Sequence, residues 1–126
     1  MTSEDLRDPV SLLPLTPTVL HILLALADGE KHGYAIMQEV EARTEGAMRL
    51  GPGTLYGSIQ RMLKDGLIVE AREHAALSHG EERRRYYRLT GFGQRVLQAE
   101  AQRLEALVRV AQRKRILPGF GTTGGA

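Results

Sequence analysis

The residue types that most often carry chemistry gather in one short run. Glu73, His74, His79, Glu81 and Glu82 lie in "EHAALSHGEE". Imidazoles and carboxylates together are ligands for zinc and related transition metals. Such ligands need a fixed geometry, and this run falls at the tip of an expected hairpin, where no scaffold supplies one. It reads as a solvated loop, and no metal site is assigned. His21 and His32 sit among apolar neighbours or at a helix start and read as structural. No Gly-rich phosphate loop precedes a strand, and no nucleophile has a base at usable spacing. The 126 residues include no cysteine, which excludes thiolate chemistry, disulfides and Cys-based zinc. The chain is therefore not expected to be an enzyme, and no cofactor is expected.

What remains is positive charge. Residues 1–50 hold 4 basic and 8 acidic side chains, and residues 51–126 hold 13 basic and 7 acidic. Most of the cations are arginine, whose fork suits phosphate and carboxylate. This imbalance points to an anionic partner for the second part of the chain. "GPGTLYGSIQRMLKDGLI", Gly51 to Ile68, concentrates the signal. On a helix, Leu55, Ile59, Met62 and Leu63 share one face. The opposite face carries Gly53, Gly57, Gln60, Arg61 and Lys64, with Thr54 and Ser58 on one border and Tyr56 on the other. A helix slim at its leading end and basic further on suits the DNA major groove. Unpaired N–H groups at that end favour phosphate. The same pattern also suits an ordinary surface helix that follows a turn.

The arginine run Arg83, Arg84 and Arg85, followed by Arg88, adds a second cationic element. On a hairpin it would reach phosphates or the adjacent minor groove, or else only protect a strand edge.

Other elements must position these groups. Thr16 and Pro17 open a first helix, with Val19, Leu20, Leu23, Leu24 and Ala27 at helical spacing, ended by Asp28-Gly29. "HGYAIMQEVEARTEG" gives a second helix that buries Tyr34, Ile36, Met37 and Val40, with Ala35 beside them, and closes at Gly46. "LIVEAR" and "RRYYRL" alternate and form a β-hairpin with a long, mobile tip from Glu73 to Arg83. Thr90 caps a last helix from about Gly91 to Leu117. Leu97, Ala101, Leu104, Val108 and Ala111 step along it as a coiled-coil-like seam, widened by Val96, Leu107 and Val110. The expected fold is mainly α with a small β-hairpin: a winged helix-turn-helix plus a long C-terminal helix. It divides into a partly disordered arm at 1–14, a DNA-binding unit at 15–90, a dimerisation helix at 91–117 and a disordered tail at 118–126.

The chain resembles the PadR family of bacterial transcriptional regulators. "HGYAIMQEV", "GTLYGSIQRMLKDGLI" and "RRRYYRLTGFGQRVL" carry the likeness, over about Leu15 to Leu117. The single terminal helix looks like the shorter subfamily. A cytoplasmic protein is the plain reading of the composition, and the resemblance implies a homodimer built largely through the last helix, packed against the partner's last helix and N-terminal region, with Leu97, Ala101, Leu104, Leu107, Val108 and Ala111 on the seam. It implies repression by binding double-stranded DNA at a pseudo-palindromic operator, released when a small-molecule effector binds at the dimer interface or when the dimer rearranges. DNA contacts are then expected from Tyr34, Gly53, Thr54, Tyr56, Gly57, Ser58, Gln60, Arg61, Lys64, Arg83, Arg84 and Arg85. Tyr34 has a core or hinge role as its alternative, Tyr56 is expected to be half-buried against Leu63, and Tyr87 is expected in the core. Two departures stand out. Gly57 replaces a proline common after the third-helix tyrosine. No tryptophan occurs, and no aromatic lies between Gly93 and Leu117, so an aromatic sandwich from the last helix is excluded. The competing function is a winged-helix protein-interaction module that does not read DNA. No membrane segment is expected, since the longest apolar run, Val19 to Ala27, is far too short to span a bilayer.

Overall fold

The computed structural model describes residues 6–71 and 85–119, and among these it holds four α-helices and a three-stranded antiparallel sheet. A 3₁₀ turn at Pro9–Leu12 comes first, capped by the Asp8 carboxylate, which accepts from Val10 N at 3.0 Å. Helix α1 spans Pro17–Leu26, and the Thr16 hydroxyl accepts from Val19 N. Strand β1 is Lys31–His32, and α2 follows at once as Gly33–Arg43. Helix α3 is Pro52–Lys64, β2 is Ile68–Glu70, β3 is Tyr86–Leu89 and α4 is Gly91–Arg113.

The first three helices enclose the core. Ile22, Leu23, Ile36, Leu55 and Ile59 have no exposed surface and Met62 has 1%. Each such side chain contributes roughly 1.5–3 kcal/mol when buried. Leu24 and Ala27, expected inside, face solvent, and Ile22 and Leu26 are buried instead. An apolar run with hydrophobic residues on every side fixes a helix without fixing which side turns inward.

The expected hairpin is part of a larger sheet. Its strand order is β1-β3-β2, so β3 lies in the middle. Lys31 and His32 pair with Tyr87 and Tyr86, and Ile68, Val69 and Glu70 pair with Leu89, Arg88 and Tyr87. A two-residue strand is too short to show alternation, so sequence periodicity could not reveal β1. Tyr87, at the centre of the sheet, is 3% exposed.

The end of β3 locks onto the end of α3. Thr90 Oγ1 donates to Gly66 O at 2.6 Å and accepts from Gly93 N at 2.9 Å. Here α4 passes the backbone so closely that a Cβ on Gly93 would lie 2.0 Å from Leu67 O. Phe92, Val96 and Leu97 join the core from α4.

Glu100 then ties α4 to the N-terminal segment. It is 1% exposed and accepts from Leu15 N at 3.0 Å, while Arg103 Nε and Nη2 donate to it at 2.6 and 3.0 Å. Its charged hydrogen bond from Arg103 holds the carboxyl below its ordinary value.

Helix α4 stops at Arg113, short of the expected Leu117. Arg115 takes a left-handed conformation, and Ile116 N bonds back to Ala111 O, so the chain turns off the axis there.

Candidate nucleic-acid interface

The first turn of α3 is stripped of side chains on its outer side. Gly51 caps it without a side-chain hydrogen bond. A Cβ placed at Gly51 or Gly53 would meet no other atom within 4 Å, and at Gly57 the nearest atom would be Arg61 Nη1 at 4.0 Å. Thr54, Tyr56, Gln60, Arg61 and Lys64 are exposed around this slim edge. Leu55, Ile59 and Met62 hold the opposite face in the core. The expected division into a buried face and a basic face is therefore present.

Ser58 is a correction. It is 1% exposed and cannot reach a groove. The axis of burial is rotated toward Ser58 and away from Leu63, which is partly buried. A small side chain at this position lets α3 sit close to its neighbours. Arg61 Nη2 donates to the Ser58 hydroxyl at 3.3 Å, so the serine satisfies its buried oxygen and braces a basic residue.

Tyr34 and Tyr56 are the second finding. Tyr34 is 57% exposed, against the expectation that α2 buries it. Tyr56 is 43% exposed, half-buried as expected, and lies across the start of α2: a Cβ built on Gly33 would be 2.3 Å from its hydroxyl oxygen. With His32, Gly33 and Arg85 the two tyrosines line a notch of about 110 Å³. His32 Nδ1 accepts from Ala35 N at 3.2 Å, and its ring meets Tyr86 edge-on at 5.3 Å. Arg85 is largely exposed, its Nε 3.9 Å from Glu70 Oε2. Two phenols, a guanidinium and a helix start around one notch form a set of donors suited to a phosphate oxygen. The structure thus brings Tyr34, Tyr56 and Arg85 together, although they lie far apart in sequence. Arg83, Arg84 and the Glu73–Glu82 cluster lie outside the described residues.

On α4, Leu97 is also a correction. It is 8% exposed within one protomer, because the start of the helix spends its apolar side on the core. Further on, Ala101 is exposed, Leu107 is 54% exposed and Val110 36%, with Leu104, Val108 and Ala111 half-buried. The apolar stripe left over begins where the core ends. Glu100 was not singled out in the sequence, although a carboxylate between Leu97 and Leu104 on the apolar side was the available signal. Among the described residues, no helix is long and apolar enough to cross a membrane.

Comparison with known proteins agrees with this geometry. The profile of the Transcriptional regulator PadR-like family matches residues 22–99. Transcriptional regulator Rv3488 of Mycobacterium tuberculosis is 38% identical over 90 residues, covering 71% of this chain and 78% of that one. A PadR family transcription regulator from Clostridium difficile superposes with a TM-score of 0.61 at 26% identity, covering 78% of this chain and 97% of that one. Bacillus subtilis PadR, solved in complex with operator DNA, superposes with a TM-score of 0.56 at 20% identity. It covers 64% of this chain and 44% of that one, and the likeness is one of fold.

Proposed function

The chain belongs to the PadR-like family of transcriptional regulators, and from that premise we propose that it is a cytoplasmic, homodimeric repressor that binds double-stranded DNA in a sequence-specific manner. Helix α3 enters the major groove. Thr54 and Gln60 reach base edges or phosphate oxygens, the glycines let the backbone approach, and Arg61 and Lys64 hold the phosphates on either side. Tyr34, Tyr56 and Arg85 grip a flanking phosphate in the notch beside α2, and Arg83 and Arg84 extend the grip along the backbone. The dimer forms through Ala101, Leu104, Leu107, Val108 and Ala111 of α4. Two-fold symmetry then places two α3 helices about one helical turn apart on a pseudo-palindrome.

The observation that supports this most is the open first turn of α3 beside exposed Arg61 and Lys64. An ordinary surface helix has no need of a bare leading edge. The test is fluorescence anisotropy with a duplex from upstream of the protein's own gene and a scrambled duplex, across a salt series. Specific binding should exceed nonspecific binding by at least ~10³, and both should weaken steeply with salt. Absence of binding at low salt would leave a winged-helix module that works through protein partners.

A further inference from the structure

Beneath the basic end of α3 lies a cleft of about 170 Å³. Leu12, Leu15, Val19, Met62 and Leu67 supply most of its apolar lining, beside Thr16. Its charged lining residues are Arg61 and Asp65, one turn apart on and just after α3. They make no ion pair with each other, and among the described residues the Arg61 guanidinium bonds Ser58 Oγ. A guanidinium and a carboxylate that leave each other unpaired beside an apolar wall are complementary to a ligand that carries both charges and a short hydrocarbon body. The cleft is smaller than pockets for drug-sized ligands, roughly 300–1,000 Å³.

We infer that this cleft binds an aliphatic α-amino acid of leucine size, with its carboxylate on Arg61, its ammonium on Asp65 and its side chain against Val19 and Met62. The hydrophobic wall excludes polar amino acids, because their side chains would be desolvated without partners. Its lining residues all come from one chain, and none of them is a seam residue of α4.

The regulatory consequence rests on the DNA-binding reading above. A ligand carboxylate on Arg61 withdraws one cation from the phosphate backbone. Bound amino acid therefore weakens DNA binding, and DNA weakens amino-acid binding by the same factor. The slope of log K against log salt should fall in magnitude by about one.

Calorimetric titration of the full chain with L-leucine, 4-methylpentanoate and 3-methylbutylamine tests the site. Saturable heat is expected with L-leucine at one site per protomer, with the two half-ligands at least ~10-fold weaker because each leaves one charge unmatched. Asp65→Asn should lose the L-leucine heat and leave duplex affinity unchanged. Absence of saturable heat up to roughly 10 mM L-leucine overturns the inference. Equal binding of 4-methylpentanoate also overturns it, in favour of a plain carboxylate site. Binding by a Leu107→Glu monomer but not by the dimer would show that a second copy fills the cleft, and sinks it too. If leucine binds and Asp65→Asn abolishes it while no duplex binds, the site stands and the DNA reading falls. If the duplex binds and leucine does not, the reverse holds.

Discussion

The hydroxyl of Tyr56 stands over Gly33 with so little clearance that a methyl group on that glycine would lie 2.3 Å from the oxygen. The bare start of one helix thereby leaves room for the tyrosine of another. The two nearest obstructing atoms are the far end of a side chain that is 43% exposed and can swing aside, and the third, Leu55 Cδ2 at 3.2 Å, need give by only a few tenths of an ångström. Gly33→Ala should therefore cost little stability, under about 1 kcal/mol in a urea melt. It should still weaken duplex binding, because Tyr56 leaves the notch. Unchanged affinity with an unchanged melt would show that Tyr56 has no part in contact.

Gly93 offers the contrasting case. Its obstructing atom is Leu67 O, a backbone atom that also accepts from Thr90 N. The backbone cannot move aside without breaking that joint. Gly93→Ala should destabilise by about 2–4 kcal/mol in equilibrium unfolding. A loss below about 1 kcal/mol would mean that α4 can shift freely against the Leu67 backbone.

Charge reversal of the basic face separates the two functional readings. The double change Arg61→Glu and Lys64→Glu places repulsion where phosphates should sit. Duplex affinity at physiological salt should fall by at least ~10². Sedimentation should show an unaltered dimer, since neither residue lies on α4. Retained binding would remove α3 from the groove.

Leu107 tests the dimer without opening the protomer core. Its side chain is already 54% exposed, so Leu107→Glu should leave the unfolding transition of the protomer nearly unchanged. Across a dimer seam the same carboxylate would be buried and unpaired. Analytical ultracentrifugation at micromolar concentration should show monomers, and duplex binding should weaken with the loss of the second half-site. A stable dimer in this variant would place the interface elsewhere.

Glu100 sets an acid limit on the fold. Arg103, and then the amide of Leu15, hold its carboxyl below the ordinary value of 4.5, so folding favours the charged form. Its contribution is fully present above that value and is lost as pH falls through the lower folded value. Glu100→Gln should flatten the acid side of the stability profile below about pH 4.5, and lower stability at neutral pH by about 1–3 kcal/mol. A wild-type acid limb that persists unchanged in the variant would assign the effect to other carboxylates.

Much of the architecture was legible because it rests on punctuation. Thr16 and Thr90 mark helix starts through local side-chain hydrogen bonds, and Pro17 and Pro52 through a fixed φ at the first helical position, both of which sequence carries directly. Helical period also found the inner and outer faces of α3. It could not find Ser58, because a helix turns by a fraction of a residue to suit its neighbours. Leu97 was assigned to the partner for a related reason: one apolar stripe serves the core first and the seam afterwards, with no change of residue type between them. The gathering of Tyr34, Tyr56 and Arg85 depended on β1, a strand of two residues whose pairing partner lies far along the chain.

The order of that sheet has a temporal side. Its middle strand is the last to be synthesised, and Tyr87 must close on Lys31 across more than fifty residues. Closing such a loop costs entropy before any contact repays it. A chain emerging from the ribosome thus displays all of α3 while its sheet is still two separate edges. The notch of Tyr34, Tyr56 and Arg85 can therefore form only when β3 arrives and joins both.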